Sequence, residues 1–332
     1  MRVTLRSTIA PLRLLAVALL ACAAAAAQAQ TYPVRPVRII VTFPPGGSSD
    51  TVTRIIAPRL AERLGQSVVV ENRPGAGGAI GADLVAKSAP DGHTLLVGAQ
   101  GGMALNTIFY PSLPYDPVKD FAPITLLVTS PFAVLVNPAV TPVKTAKELI
   151  DLLKAKPGTP YASGGTGSGM HLAGELFRII TAVDVSHVPY KGNAQAIIDL
   201  IGGQVSVAFA DLGSVSSQLR SGRVRALAVA ARERTQLAPD VPSATEAGIP
   251  AWAAVGWFGL AAPAATPRPV VERLNAETTA ILRMNDVRER ILATNNEPAP
   301  TTPAEFGAFI RSEIATWSKV IRKSGIRIDD GK

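Results

Sequence analysis

Arg38-Ile39-Ile40-Val41-Thr42-Phe43-Pro44-Pro45-Gly46-Gly47-Ser48-Ser49-Asp50 runs from an apolar, β-branched stretch through prolines and glycines into Thr51 to Leu64, which has helical period. Tyr161-Ala162-Ser163-Gly164-Gly165-Thr166-Gly167-Ser168-Gly169 repeats the pattern before a second helical stretch, Met170 to Ile180. Each is a strand, a glycine and serine loop, and a helix start. Glycines admit close approach of a ligand to backbone N–H groups, hydroxyls add donors, and the first turn of a helix offers unpaired N–H groups at a positive dipole end. Such a loop holds an anion without a charged side chain. The plainer reading of each loop alone is that Ser48, Ser49 or Asp50 caps a helix and the glycines turn the chain. Two such loops at matching places favour a binding role. Charge-assisted hydrogen bonds contribute roughly 1.5 to 3 kcal/mol each, so several together reach micromolar affinity, about −8 kcal/mol.

Outward from these loops, Val- and Ile-rich runs alternate with helical segments, the pattern of a mostly parallel sheet flanked by helices. The first series is Arg38 to Phe43, Thr51 to Leu64, Val68 to Val70, Ile80 to Lys87 and Thr94 to Val97. After a turn-rich stretch, Tyr110 to Pro123, a second series begins: helix Thr145 to Lys154, a strand near Tyr161, helix Met170 to Ile180, strand Val185 to Val188, helix Asn193 to Ile201, and strands Val205 to Ala210 and Arg225 to Ala230. Ile124 to Asn137 and Ala253 to Ala262 read as crossings between two α/β lobes. Helices over Pro269 to Met284 and Pro303 to Lys323 then return to the first lobe; in the latter, Phe306, Phe309, Ile310, Ile314, Trp317 and Ile321 form a core-facing stripe. The expected division is a leader over 1–29, lobe one over 30–130, lobe two over 131–253 and a return to lobe one over 254–332. Two linkers between two lobes make a hinge and a cleft that closes on a ligand.

The 332 residues are 47% hydrophobic and 17% charged, a globular composition that excludes a disordered or coiled-coil chain. Aromatic residues, at 5%, are too few for base-stacking platforms, and no nucleic-acid partner is expected. The net charge is +8, but Arg2, Arg6 and Arg13 lie in an acid-free N-terminal stretch, which leaves +5 for the rest. That stretch has a basic start, an apolar run from Leu12 to Leu20 and a small-x-small site at Ala27-Gln28-Ala29, and so reads as a secretory leader cleaved near Ala29. Its apolar part is short of the roughly 20 residues that span a bilayer. Cys22, the only cysteine, lies inside it; Leu19-Leu20-Ala21-Cys22 loosely resembles a lipoprotein box. Cleavage after Ala29 would leave a mature chain with no thiol, which suits an oxidising periplasm.

Other chemistry finds little support. No Gly-x-x-x-x-Gly-Lys-Ser/Thr stretch occurs, and Gly75-Ala76-Gly77-Gly78-Ala79-Ile80-Gly81 misses the dinucleotide spacing by one residue, so it reads as a turn before a helix. Ser49 and Ser168 each lack one glycine of a nucleophile elbow, which leaves as alternatives an exported serine hydrolase or a signalling or interaction protein that uses the same fold without a small ligand. His93, His171 and His187 are scattered, and neither a metal nor a cofactor is expected. His171, in the first turn of its helix, has two open readings, a packed helix residue or a donor at the cleft edge. Gln100, in Gly98-Ala99-Gln100-Gly101-Gly102, is a loop tip or an amide reaching the cleft. Asp211 either accepts from an amino or hydroxyl group of a ligand or caps the next segment. Lys191 is a solvated turn lysine or part of an electrostatic funnel.

Five motifs in order carry a resemblance: Phe43 to Asp50; Glu71-Asn72-Arg73-Pro74-Gly75-Ala76-Gly77-Gly78; Leu113-Pro114-Tyr115-Asp116-Pro117; Gly167-Ser168-Gly169-Met170-His171-Leu172-Ala173-Gly174-Glu175; and His187-Val188-Pro189-Tyr190-Lys191-Gly192. Together they resemble the Bug-type solute receptors of tripartite tricarboxylate transporters. The resemblance implies a periplasmic, non-enzymatic, monomeric receptor of the two-lobed type II (Venus flytrap) fold, which delivers a small organic acid to a membrane permease or a sensor. It implies ligand contacts from Phe43, Pro44, Gly46, Gly47, Ser48, Ser49 and Asp50 in lobe one and from Ser163, Gly165, Thr166, Gly167 and Ser168 in lobe two, through main-chain N–H groups and waters. Gln100, His171 and Asp211 join them as candidates, and Asn72 to Gly78 reads as scaffold. Family ligands include dicarboxylates, acidic amino acids and aromatic carboxylates, so the resemblance does not name the solute.

Overall fold

Strand β1 (Val37–Val41) is the centre of the first lobe: Val37, Ile39, Ile40 and Val41 are fully buried, as in a parallel strand covered on both faces. The computed structural model describes residues 32–110 and 112–324; the leader read over 1–29, with Cys22, lies outside them. β2 (Val68–Asn72) and β3 (Thr94–Ala99) flank β1 in parallel, with Val37 opposite Val68 and Arg38 opposite Thr94. β9 (Val255–Pro263) pairs antiparallel with β3 and with β4 (Phe121–Val136), and the short β10 (Glu297–Pro298) borders β4.

β4 belongs to both lobes. Up to Pro131, opposite Val255, it pairs with β9; from Phe132, opposite Asp211, it pairs with β7 (Val207–Asp211) on one side and β8 (Arg225–Val229) on the other. Parallel to β7 run β5 (Thr159–Ser163) and, beyond it, β6 (Val185–Pro189). The result is two mixed sheets sharing one strand, with β9 the second crossing.

The helices are α1 (Ser48–Leu64), α2 (Ala79–Ala86), α3 (Asn106–Phe109), α4 (Ala146–Ala155), α5 (Gly169–Thr181), α6 (Asn193–Ile201), α7 (Leu212–Arg220), α8 (Arg268–Leu282), α9 (Asn285–Leu292) and α10 (Pro303–Ser324). α1 ends at Gly65, whose φ of 70° suits glycine and whose N–H closes on the Ala61 carbonyl. At the start of α4 the N-cap Thr145 accepts from Glu148 N, while the Glu148 carboxylate accepts from the N–H of Lys144, the residue before the cap. α10 packs against β4 through Phe306, Ile310, Trp317 and Ile321, all buried. Each such side chain contributes roughly 1.5 to 3 kcal/mol.

Three helical pieces have weak sequence signals. α7 contains Gly213, Ser214, Ser216 and Ser217, poor helix formers, and is set by its start at Asp211 rather than by propensity. α9 follows α8 after a break at Arg283 and Met284. Gly101–Leu105 forms a π-helical turn running into α3, so Gln100 is the buried start of a helical segment and not a loop tip.

Candidate functional site

The carboxyl ends of β1, β3, β5, β6 and β7 converge where the lobes meet, the place where open α/β sheets bind ligands. After β1, Pro44 and Pro45 lead to Gly47, the N-cap of α1, which supplies no side-chain cap. The first return bond is from Thr51 N to the Gly47 carbonyl, 2.9 Å. The N–H groups of Ser48, Ser49 and Asp50 therefore precede the helical ladder. Ser48 and Ser49 are only 3% and 2% exposed. A buried, uncapped helix start asks for an acceptor, and the dipole favours an anion. Asp50 does not supply one: its carboxylate accepts from Gly46 N (2.9 Å), Asn72 Nδ2 (2.9 Å) and Arg54 Nε (2.9 Å). Burial pushes this carboxyl up, but those bonds outweigh it and leave the pKa below the ordinary value.

The loop after β5 is built differently. Ser168 is the N-cap of α5; its Oγ accepts from His171 N (3.2 Å) and donates to the Gly165 carbonyl (2.6 Å). Ser163 Oγ pairs with His187 Nε2 (2.7 Å) and accepts from Gly165 N (3.2 Å). His171 stacks on His187 with ring centroids 3.9 Å apart, and its Nδ1 accepts from Gly167 N (3.4 Å). Burial, then the Arg178 charge, lowers His171 to about 4; burial, then His171 itself, lowers His187 to about 3. Both rings are neutral at pH 7.

Asp211 ends β7 and caps α7. It accepts from Ser214 N (2.9 Å), Ser214 Oγ (2.7 Å), Asn193 Nδ2 (2.7 Å) and, more distantly, Ser130 Oγ (3.4 Å). Burial raises its pKa despite these bonds. α6 begins after Gly192, again without a side-chain cap. Helix starts from both lobes thus face one space.

That space is a tight cavity of about 30 Å³. Among the predicted residues, Phe43, Pro44, Gly47, Ser48, Ser49, Gln100 and Asp211 line it. Gly165 and Thr166, with Phe43 again, line a neighbouring gap whose other wall is Gly75 to Gly78 and whose mouth holds the exposed Lys191. Gly46, Asp50, Ser163, Gly167, Ser168 and His171 line neither; Gly46 is exposed and the other five are buried behind the surface. The Gly75–Gly78 turn, read as scaffold, also meets the opposite lobe: a Cβ on Gly77 would lie 2.7 Å from the Thr166 carbonyl oxygen.

Sequence reasoning missed Phe132, Gly169, Met170, Asn193, Ser214 and Trp257 on the cavity wall. Asn193 had a usable signal. Val185–Pro189 followed by Gly192 and a helix is a third strand, glycine and helix-start unit. The crossing-strand residues had none, since only pairing of β9 with β4 brings them here.

Two of the cavity hydroxyls are engaged: Ser48 Oγ donates to Asn296 Oδ1 (2.7 Å), and Ser214 Oγ to Asp211. Neither is partnered by a histidine, as a nucleophile would require. Among the described residues, no group of three or more His, Cys, Asp or Glu could hold a metal ion, and no helix is long and apolar enough to cross a membrane.

A family model described as "Tripartite tricarboxylate transporter family receptor" matches residues 52–326. Protein BugT of Bordetella pertussis (strain Tohama I) is 38% identical over 307 residues, covering 92% of this chain and 94% of that protein. Two solved structures align over nearly their full length. Rpa4515 of R. palustris with adipate has a TM-score of 0.86 and 35% identity, covering 89% of this chain and 99% of that one. MatC from Rhodopseudomonas palustris with bound malate has a TM-score of 0.83 and 36% identity, covering 87% and 100%.

Proposed function

Because the chain belongs to the tripartite tricarboxylate transporter receptor family, whose members are periplasmic solute-binding receptors, we propose that it closes on a small organic carboxylate and presents it to a membrane permease or a sensor ectodomain. The observation that carries this reading is the uncapped, buried start of α1, with Ser48 and Ser49 facing the starts of α5 and α6 across one cavity. Adipate in one relative and malate in another support a carboxylate as the ligand class.

In this reading the ligand's carboxylate accepts from the Ser48 and Ser49 N–H groups of lobe one, and Gly169, Met170 and Asn193 close from lobe two (131–253) onto lobe one (30–130 and 254–332). Burial strengthens those bonds as water leaves. The ligand stabilises the closed state by its extra contacts there, which makes closure the signal a partner reads. The chain acts without turnover, as a monomer, in the periplasm, exported by a leader cleaved after Ala29; lipidation at Cys22 is the lesser alternative.

Thermal unfolding of the mature, refolded chain against dicarboxylates, acidic amino acids, aromatic acids and uncharged amides tests this. A ligand at 100 times its Kd adds about 2.7 kcal/mol. Stabilisation by a carboxylate without its consumption is the expected result; stabilisation by uncharged compounds alone would overturn the anion-clamp reading.

A further inference from the structure

The side-chain amide of Gln100 is locked in one orientation. Its Nε2 donates to Glu313 Oε2 of α10 at 2.6 Å, and the same oxygen accepts from Trp257 Nε1 (2.8 Å) and Trp317 Nε1 (3.3 Å). An ionised carboxylate only accepts, so turning the amide over would set its oxygen against Glu313. Gln100 Oε1 is thereby sent the other way. It is buried without a hydrogen-bond partner, on a residue only 2% exposed. It abuts lobe two, close against the start of α5: a Cβ built on Gly169 would lie 2.5 Å from it. Gln100 and Gly169 both line the cavity. Asn193 also has an unpartnered Oδ1, its Nδ2 being given to Asp211 and Ser214, but that oxygen is turned to its own lobe, 2.9 Å from where a Cβ on Gly164 would stand.

Native proteins rarely bury an amide oxygen unpaired, and such a group marks a place that a ligand or water completes. We propose that the ligand is a hydroxy-carboxylate, whose hydroxyl donates to Gln100 Oε1 while its carboxylate lies at the start of α1, and that Glu313 is the positioning residue that sets this preference. The inference rests on the carboxylate-receptor reading and adds to it the second group the ligand must carry. A neutral hydroxyl, with one proton to give, matches one neutral acceptor. An ammonium would bring a buried charge needing several acceptors, and both oxygens of Asp211 already accept from Ser214, Asn193 and Ser130.

Calorimetry with length-matched pairs tests it: succinate and malate, glutarate and 2-hydroxyglutarate, tricarballylate and citrate. In the pair that fits, the hydroxylated member should bind about tenfold tighter or more, because its absence leaves a buried acceptor unpaired. In Glu313→Met, which offers no acceptor, the freed amide can turn its NH₂ to the ligand, and the ratio should fall to about twofold or less. A merely structural role for Glu313 would weaken both members alike and leave the ratio intact. Gln100→Met, which removes the acceptor at similar volume, keeps the test open if the Glu313 variant fails to fold. Equal affinities within every pair, a preference for aspartate over malate, or a ratio unchanged in both variants would overturn the inference alone. Silence of every carboxylate would overturn the receptor reading and this inference with it.

Discussion

The loops after β1 and β5 share one sequence grammar and are built to opposite ends. In the first, a glycine N-cap leaves the start of α1 unsatisfied and buried against the cavity. In the second, Ser168 satisfies the start of α5 itself, Ser163 is tied to His187, and Gly165 and Thr166 face the Gly75–Gly78 turn of the other lobe. The lobe-one loop is left with unpaired donors, which we propose a ligand takes up, whereas the lobe-two loop is a finished surface that packs against its opposite. What separates them is one position: the residue before the helix is Gly47 in one and Ser168 in the other.

The largest expected effect tests the finished loop through its buried histidines. In the unfolded chain His171 and His187 titrate near 6.5, whereas in the fold they are held at about 4 and about 3. The unfolded state therefore takes up protons first. Stability is complete above about pH 6.5 and is lost as pH falls toward 4, by on the order of a few kcal/mol. Denaturant titrations from pH 7.5 to 4.5 read this, in a window above the range where depressed carboxyls such as Asp50 act. A flat profile would mean that the stack is not buried as described.

Next in size is removal of a donor from the waiting loop. Proline suits the first helical position, and Gly47, at φ −75° and ψ 169°, already has the conformation a residue before proline needs. Ser48→Pro should thus fold, lose one N–H at the cavity, and bind a carboxylate roughly ten- to a hundredfold more weakly. Ser48→Ala separates the hydroxyl from the N–H, and should cost the lesser part of that loss.

Gly77→Ala breaks the seal instead. Its Cβ would meet Thr166 O, Gly167 C and Ser168 N, all in the other lobe, so the clash exists only in the closed form. Affinity should fall about tenfold, while ligand-free stability falls by only about 1 kcal/mol for an alanine at positive φ. Equal loss of both would place the effect within lobe one. The smallest effect is Ser168→Ala, which removes a cap worth about 1 kcal/mol and should leave affinity within about threefold. A large affinity loss there would show that the second loop also grips the ligand.

The fold was legible because buried parallel strands are written as short apolar runs, and β1, β3 and β7 are buried on nearly every residue. α7 was not, because Asp211 and its serines start a helix that propensity does not favour. Within the site, Gly47 to Ser49 could be read from local chemistry alone. The tasks of Ser163, Ser168 and His171 could not, since the partner that occupies each of them is one ring or one turn away in space. Gln100 was the reverse case: its place at the cavity is set by Glu313, 213 residues on.

The most direct measurement compares one well-bound carboxylate with its primary carboxamide, equal in shape but uncharged, by titration calorimetry on the mature chain. The account predicts that the amide binds at least a hundredfold more weakly, because the N–H groups at the start of α1 have their charged acceptor removed. Equal affinity would contradict it.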